Sequence, residues 1–299
     1  MAIKIIKADE VRKVNNLIFV IYGLPGLGKT STAFTASKPF LFDFDNGVLR
    51  AAKRGDSTPL ITNWSDINGL SAEDLSAYDT IIVDTVGRAL EVLADSLIKN
   101  NPKYGKADGT LSLQGFGALS AAFKAFISKL RGFGKDIILL AHAKEDKDGD
   151  TITYRIDAQG SAKQEIYKIC DMMGYLHTVN NSVHLSFNPN DAFTGKNCAN
   201  VQPFPIPAMD KNNHYLADII KQSKDYLNAL SEEQLIQQRN YDEAIELIDA
   251  ATDLDTINGL IAIENIIKNQ ALKNHLHNKA TELGFIPNSE KKCYENRAA

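Results

Sequence analysis

The sequence has few cysteines, no strong excess of either charge and no long apolar run. Its three cysteines, Cys170, Cys198 and Cys293, lie far apart without C-x-x-C spacing, which argues against a disulfide framework and a zinc site. A formal net charge of −4 gives no global attraction for nucleic acid, so such binding would depend on local patches. No apolar stretch approaches the roughly 18 residues of a membrane span, and residues 1–14 lack a signal-peptide core. We therefore expect a soluble, cytoplasmic protein that does not bind membranes.

Apolar residues make up 44% of the chain, enough for a sizeable core. Short β-rich runs alternate with helical segments along most of the sequence. These runs are LIFVIY, KPFLFDFDN, DTIIVDT and KDIILLAH, followed by the adjacent pair MMGYLHTV and SVHLSF. This alternation predicts an α/β fold with a mostly parallel sheet and helices on both faces.

The pattern changes after about residue 210, and from Tyr215 onward helical periodicity dominates without a convincing strand. Three helices are predicted there, one of them beginning at a capping box over 231–234. The final segment NSEKKCYENRAA is expected to be frayed. We therefore predict an α/β domain over residues 1–220 and a helical C-terminal region over 221–299.

The turn after the first strand, GLPGLGKT at Gly23–Thr30, fits G-x-x-x-x-G-K-[ST] without mismatch. Its glycines allow successive backbone N–H groups to turn toward phosphate oxygens, and the following helix N-terminus favours an anion. The pattern predicts ATP binding by Gly23, Leu24, Pro25, Gly26, Leu27, Gly28, Lys29, Thr30 and Ser31. Lys29 would reach the β- and γ-phosphates, and the Thr30 hydroxyl would ligate Mg²⁺. The alternative is a glycine-rich turn that fits by chance.

Carboxylates follow two of the predicted strands. Asp84 ends TIIVD, where a second anchor for the metal is expected; the alternative is an Asp that caps the next element. Asp43 and Asp45 end the strand after the phosphate-loop helix and point to the same face. Asp45, nearer the edge, is our candidate catalytic base, and its alternative role is to start the turn through Asn46 and Gly47.

His142 ends the strand IILLAH at the same carboxyl edge. A polar group there can sense the γ-phosphate and relay its presence to the loop that follows. The alternative is a histidine that only makes local hydrogen bonds.

The ordered set of phosphate loop, FLFDFDN, TIIVDT and ILLAH resembles the RecA-type ATPase core. More narrowly, the chain is similar to the phage single-strand annealing ATPases, RecA-core proteins often catalogued as phage AAA-type nucleotide-binding proteins. The resemblance covers roughly residues 17–220 and does not extend to the helical tail. It implies a P-loop NTPase fold of RecA type and, for a phage-encoded protein, a location in the host cell cytoplasm.

The resemblance also implies roles for individual positions. Gly23–Thr30 would be the Walker A loop and Asp84 the Walker B carboxylate. Asp45 stands where RecA-like proteins carry a catalytic Glu, which is one methylene longer. His142 falls where RecA has a Gln that couples nucleotide to DNA.

The segment FTGKN, Phe193–Asn197, resembles the Lys-Asn-Arg-Phe-Gly motif of RadA-like proteins, whose basic residues reach a neighbouring subunit's nucleotide. Cys198 replaces the arginine, so an arginine finger at that position is absent. Lys196 is then the residue expected to act in trans, within a ring or filament.

Two polar regions, Asn100–Gly117 and Ala143–Gly160, would match the first and second DNA-binding loops of the RecA class. The residues expected to contact DNA are Lys103, Tyr104, Lys106, Lys144, Arg155 and Lys163. Cations beside an aromatic ring suit phosphate contacts and base stacking on single strands. Acidic residues are interspersed in the second region, and charges that are merely solvated remain the alternative.

The leading hypothesis is an ATP- and Mg²⁺-dependent recombination ATPase that self-assembles on single-stranded DNA and promotes annealing or strand pairing. A single-strand binding protein would be a further partner. One alternative is a nucleotide-kinase-type phosphotransferase, because GLPGLGKT resembles the phosphate loop of nucleotide kinases. The arginines that such enzymes carry on a catalytic lid are sparse here. Another alternative is a nucleotide-gated scaffold whose C-terminal helices recruit a replication or recombination partner.

Overall fold

The computed structural model describes residues 13–149, 151–208, 211–288 and 290–296. Residues 1–12, most of the segment predicted to lack a signal peptide, lie outside the described residues, as do 297–299 at the end of the predicted frayed tail. The chain divides into two compact units, one of which comprises Val14–Leu227. The described residues from Asn228 onward belong to the second unit. The sequence-based boundary was placed at 220/221.

The first unit alternates strands and helices. Its strands are β1 (Ile18–Gly23), β2 (Pro39–Asp43), β3 (Asp56–Ser57), β4 (Thr80–Asp84), β5 (Asp136–Asp148), β6 (Thr151–Ile156), β7 (Met172–Val179), β8 (Ser182–Ser186), β9 (Lys196–Asn197) and β10 (Phe204–Pro205). Its helices are α1 (Lys29–Ala33), α2 (Ser65–Asn68), α3 (Val86–Asn100), α4 (Leu113–Gly132), α5 (Gly160–Ile169) and the first part of α6 (Tyr215–Ala250).

The main sheet has the strand order β10-β8-β7-β1-β5-β4-β2-β3. The strands from β7 to β3 are parallel, whereas β8 and β10 join one edge in antiparallel pairing. β5 lies between the phosphate-loop strand β1 and the strand β4 that ends in Asp84. This arrangement confirms the predicted α/β P-loop fold with a mostly parallel sheet.

Helices cover both faces of the sheet, which is why its central strands read as continuous apolar runs. Ile18, Val20 and Tyr22 of β1 pack into one buried cluster with residues of α3, α4 and α5. Phe19 and Ile21 of the same strand pack into the opposite cluster, together with residues of α1 and α6. The sheet is therefore fixed from both sides, and its carboxyl edge provides a rigid base for side chains.

The second polar region, Ala143–Gly160, is largely a β-hairpin, whose second strand β6 is the alternating run TITYRI that the sequence indicates as a strand. β5 continues past the sheet edge to Asp148 and pairs antiparallel with β6, with Lys144 opposite Arg155. The charged run KEDKDGD, whose composition indicates a turn, therefore lies mostly within a strand. Its charges are tolerated because this hairpin is solvent-exposed, and Arg155 forms a 3.2 Å ion pair with Asp146.

The region predicted as a first loop, Asn100–Gly117, is also shorter than expected. A 3-10 turn occupies Pro102–Tyr104, and α4 begins at Leu113, within this polar region. The reason is a helix cap, since the Ser112 hydroxyl accepts a 3.2 Å hydrogen bond from Gly115 N.

The second unit contains the rest of α6, then α7 (Leu254–Leu260), α8 (Glu264–Lys268), α9 (Gln270–Glu282) and a hairpin of β11 (Phe285–Asn288) and β12 (Cys293–Asn296). No helix begins at the predicted capping box, because α6 passes through it without a break. The hairpin also corrects the prediction of a strand-free, frayed tail. Within the described residues, no helix has the length and apolar character to span a membrane.

Candidate functional site

The phosphate loop connects β1 to α1 as the sequence predicts. Gly26 and Gly28 have φ angles of 84° and 79°, in the left-handed region that side chains disfavour. Gly23 is required for a different reason, since a Cβ there would lie 2.8 Å from the carbonyl oxygen of Leu176 on β7. The glycines therefore permit both the turn and its close packing against the sheet.

Lys29 is 7% exposed and lies at the first position of α1. Its ammonium donates hydrogen bonds of 2.9 Å to the carbonyl oxygens of Gly23 and Leu24. Burial lowers the pKa of Lys29, and the carboxylates of Asp84 and Asp45 act in the opposite direction. The loop thus holds a largely desolvated cation beside its own backbone.

Thr30 and Asp84 come together at the end of β4. The Thr30 hydroxyl donates a 2.6 Å hydrogen bond to Asp84 Oδ2. Burial, above all, raises the pKa of Asp84 to about 6, although the bond from Thr30 lowers it. A Cβ on Gly47 would lie 2.3 Å from Asp84 Oδ2, so only glycine fits at that position. The two predicted metal ligands are therefore adjacent, in a space that the chain leaves free of side chains.

Asp43 and Asp45 have different environments. Asp43 is buried, and its carboxylate accepts hydrogen bonds from the backbone N–H groups of Asp45, Gly47 and Val48. It therefore builds the turn, the role considered for Asp45 as an alternative. Asp45 instead carries its carboxylate into the cavity beside the phosphate loop.

His142 and Thr85 also line this cavity. His142 lies opposite Gly23 in the β1–β5 register, and Thr85 follows Asp84 across a cis peptide bond. Among the described residues, neither His142 Nδ1 nor Thr85 Oγ1, both buried, has a hydrogen-bond partner. Burial, and next the charge of Lys29, lower the pKa of His142. Both effects favour the neutral imidazole.

The cavity has a volume of about 250 Å³. Of the predicted nucleotide-binding residues it is lined by Pro25, Gly26, Gly28, Lys29, Thr30 and Ser31, and of the predicted catalytic and metal residues by Asp45, Asp84 and His142. Gly23 and Leu24 contribute carbonyl oxygens that hold Lys29, and Leu27 packs against the core. The structure thus brings the predicted catalytic set together around one space.

The residues present fit a magnesium-bound nucleoside triphosphate. A buried cation and a pair of oxygen ligands border the same cavity, and two further lining residues, Thr85 and His142, each carry a buried polar atom without a partner among the described residues. Thr30 Oγ1 and Asp84 Oδ2 would hold Mg²⁺, a hard cation that prefers oxygen and keeps several waters. Bound there, the metal would neutralise phosphate charge.

Sequence reasoning missed two arginines at this site. Arg50 donates 2.8 and 3.0 Å hydrogen bonds to the carbonyl and carboxylate of Asp45. Arg88, in the first turn of α3, has its Nε 3.6 Å from the same carboxylate, and His142 Nε2 is 3.9 Å from it. Asp45 is therefore surrounded by three basic side chains. Arg88 follows the end of β4 closely in the sequence, and this closeness could have indicated a position near the site.

Lys196 lies away from this cavity. It belongs to β9, which pairs with β7 at Met172 and Met173, and its ammonium donates to the carbonyl of Cys170. The residue of β7 opposite Gly23 is Leu176, farther along the strand. A role for Lys196 at a neighbouring subunit's nucleotide stays a prediction.

The predicted DNA-binding residues lie on two neighbouring regions of the first unit. Lys103 and Lys106 are exposed beside the half-buried Tyr104, and Lys144 and Arg155 are exposed on the hairpin. Lys163 is half-buried on α5. The two regions meet where Phe116 contacts Gly160, since a Cβ on Gly160 would lie 2.9 Å from the Phe116 ring. DNA binding by these residues stays a prediction.

Comparison with known proteins shows which family this chain belongs to. A protein-family model described as an AAA domain matches residues 15–199, the range that contains every residue lining the cavity. The chain is also similar to the SPbeta prophage-derived uncharacterized protein YorG of Bacillus subtilis (strain 168), with 30% identity over 144 residues. That match covers 44% of this chain and 42% of the relative, less than half of either. Because the family model spans more than half of the chain and includes its phosphate loop, the protein belongs to the AAA domain family of P-loop NTPases.

Proposed function

We propose that the protein hydrolyses ATP with Mg²⁺ and uses the nucleotide to control its binding to single-stranded DNA, promoting annealing or strand pairing. The observation that carries this proposal is the continuity of β5. One strand places His142 in the nucleotide cavity and then continues through Lys144 as the first strand of the exposed hairpin. A change at the phosphates can therefore reach the hairpin without an intervening loop.

Hydrolysis uses residues already gathered at the cavity. Asp45 accepts a proton from the water that attacks the γ-phosphate, and its carboxylate is oriented by Arg50 and Arg88. Lys29 supplies positive charge near the phosphates, where burial strengthens its effect. His142 lines the same cavity and would contact the γ-phosphate or the attacking water through its imidazole ring.

The DNA part of the proposal is supported by the adjacency of two regions. Tyr104 offers an aromatic surface flanked by Lys103 and Lys106, and the nearby hairpin adds Lys144 and Arg155. Such sets suit the backbone and bases of a single strand. Acidic neighbours such as Asp146, which pairs with Arg155, limit the net positive charge of the hairpin. DNA binding would therefore depend on how the bound nucleotide arranges the basic side chains.

Assembly into a ring or filament belongs to the same proposal, because repeated subunits give a multivalent hold on one strand. The Lys196 side chain lies off its own cavity and would serve a neighbouring subunit's nucleotide. The likeness to a prophage-derived protein supports a phage setting, in which a single-strand binding protein would be a partner.

The deciding experiment measures ATP hydrolysis with and without a single-stranded oligonucleotide. We expect stimulation by the oligonucleotide in the wild type and its loss in Lys29→Ala. Lys38→Ala is the matched control, because Lys38 is exposed and its side chain forms a single 3.6 Å ion pair, with Asp79, among the residues that the structure describes. Hydrolysis that ignores the oligonucleotide would contradict the DNA part while leaving the ATPase part intact.

A second measurement tests the DNA surface directly. Oligonucleotide binding with a slowly hydrolysed ATP analogue should weaken as salt rises and should weaken further in Lys103→Glu/Lys106→Glu. Lys211→Glu, at another exposed lysine of the same unit, is the control. Phosphorylation of a small nucleotide in place of DNA-stimulated hydrolysis would support the phosphotransferase alternative instead.

A further inference from the structure

The second unit contains an apolar cavity that belongs to a different part of the fold from the nucleotide site. Its volume of about 480 Å³ lies within the roughly 300–1,000 Å³ typical of ligand pockets. Residues of α8, α9 and the β11–β12 hairpin line it. Nothing in the proposed ATPase reaction uses this cavity, so it calls for an explanation of its own.

The floor and one wall of the cavity are held in place by the unit itself. Ile266 and Leu276 line the cavity and are also buried members of the unit's core. The hairpin wall is fixed at Tyr294, whose N–H donates a 2.7 Å hydrogen bond to Asn258 Oδ1, while Asn258 Nδ2 donates to the Tyr294 carbonyl. A cavity with fixed walls binds a ligand at a smaller ordering cost.

The mouth of the cavity leaves apolar surface in contact with water. Ile267 lines the cavity and is 47% exposed. A half-exposed isoleucine in the lining of an apolar concavity is typical of a surface that another molecule covers.

The charge at the cavity is of one sign. Lys273 and Lys292 line it, and no acidic residue does among the described residues. Neither lysine forms an ion pair within the described part of the chain. Acidic residues outnumber basic ones over 228–299, so these two lysines form a local positive site in an otherwise acidic unit. Electrostatic complementarity therefore selects a negative partner here.

We infer that this cavity docks an acidic peptide segment of a partner protein, with apolar side chains inserted against Ile266, Ile267 and Leu276 and carboxylates facing Lys273 and Lys292. A peptide fits better than nucleic acid, because the floor is aliphatic and two cations do not form a track for a phosphate backbone. The proposal goes beyond the nucleotide chemistry and does not depend on it.

The test uses the full-length protein without ATP and a fluorescein-labelled peptide, Asp-Asp-Asp-Asp-Leu-Phe. Fluorescence anisotropy should show binding that weakens about tenfold or more when Ser replaces the four Asp, or when Ser replaces Leu-Phe. Ile267→Asp and Lys273→Glu/Lys292→Glu should cause losses of the same size. Ile236→Asp is the matched control, because Ile236 is 57% exposed in the same unit and does not line the cavity.

A protection experiment locates the bound peptide. Cys293 lines the cavity, Cys170 is buried and Cys198 is exposed. In a Cys198→Ser background the peptide should slow alkylation of Cys293 by iodoacetamide, and the Ile267→Asp variant should lose this protection.

Four results would overturn the inference. These are no binding of the acidic peptide, equal binding by the cavity variants, displacement of the peptide by an oligothymidylate that binds the same lysines, and a dimer that dissociates in Ile267→Asp. The third result would mean that nucleic acid occupies the site, and the fourth a second copy of the chain. Circular dichroism checks that each variant is folded, as the exposure of Ile267 leads us to expect.

Discussion

The Thr30 hydroxyl donates a 2.6 Å hydrogen bond to the carboxylate of Asp84, although 54 positions separate the two residues in the chain. The bond connects the start of α1 to the end of β4, across the strand β5 that lies between β1 and β4. It holds two oxygen ligands side by side before any metal binds. The carboxylate is buried, however, and burial raises its pKa to about 6. A group placed for metal binding is thus costly to ionise in the nucleotide-free protein.

The first prediction follows from the sign of this pKa shift. The pKa of Asp84 rises from 3.8 to about 6 on folding, so the stability contributed by its protonated form is complete below about pH 3.8 and is lost as pH rises through 6. Asp84→Asn removes this titration. At pH 8 the nucleotide-free variant should be more stable than wild type by on the order of 2 kcal/mol, and the difference should vanish toward pH 4.

Thermal melting between pH 4.5 and 8 checks this prediction. Adding ATP and Mg²⁺ should reverse the order, because the wild type gains stability from the ligand and the variant, lacking the carboxylate, does not. A variant that melts below the wild type at every pH would show that Asp84 stabilises the fold and would contradict the metal-site assignment.

The second prediction concerns the space that Gly47 leaves beside this pair. In Gly47→Ala the added methyl group would lie 2.3 Å from Asp84 Oδ2 and 3.3 Å from Thr30 Oγ1, so the carboxylate must move. We expect Mg²⁺-dependent nucleotide binding to weaken by about tenfold, measured with a fluorescent ATP analogue. Gly69→Ala is the control, since no atom of the described part of the chain lies within 4 Å of its Cβ position. Equal nucleotide binding by both variants would mean that the Asp84 carboxylate can move without weakening Mg²⁺-dependent binding.

Local spacing in the sequence was sufficient to predict the phosphate loop and the strands β1 and β4. A phosphate loop needs glycines and a lysine at fixed short intervals, and a strand buried on both faces needs a continuous apolar run, so both leave a local signal. Arg50 has no such signal, and Arg88 has only its closeness in the sequence to Asp84. Their approach to Asp45 depends on how the turn after β2 and the first turn of α3 fold against each other.

The β-hairpin and the tail were mispredicted for related reasons. KEDKDGD has the composition of a turn, but its backbone is satisfied by pairing with β6, and exposed strands accept charged side chains. The capping-box pattern at 231–234 is also compatible with the interior of a helix, because Glu and Gln are good helix formers. In the first case long-range pairing overrode a short local pattern, and in the second the local pattern was compatible with two structures.

The third prediction separates two carboxylates at the end of β2. Asp43→Ala would leave the N–H groups of Asp45, Gly47 and Val48 without their acceptor, at a cost of about 1–3 kcal/mol for each that stays buried. Asp45→Asn should leave the melting temperature nearly unchanged, because partly exposed ion pairs contribute about 0–1 kcal/mol.

ATP hydrolysis should depend directly on Asp45 and only indirectly, through folding, on Asp43. Asp45→Asn should lower the rate of ATP hydrolysis by about 100-fold or more while nucleotide binding persists, as expected on loss of a general base. Asp43→Ala should lose activity only in parallel with folding, measured by chemical unfolding. An Asp45→Asn variant with wild-type turnover would assign the base elsewhere.

The fourth prediction tests whether β5 transmits the nucleotide state. His142 lies opposite Gly23 and has a buried ring nitrogen without a partner, and the same strand reaches the exposed hairpin at Lys144. With a slowly hydrolysed ATP analogue, trypsin cleavage after Lys144, Lys147 and Arg155 should slow in the wild type. His142→Ala should bind the analogue within about threefold of wild type, since one neutral contact is worth about 0.5–1.5 kcal/mol, yet lose this protection. His214→Ala, at an exposed histidine of the same unit, is the control. Protection that persists in His142→Ala would show that His142 does not couple the phosphates to the hairpin. The continuity of β5 would then have a structural role without transmitting the nucleotide state.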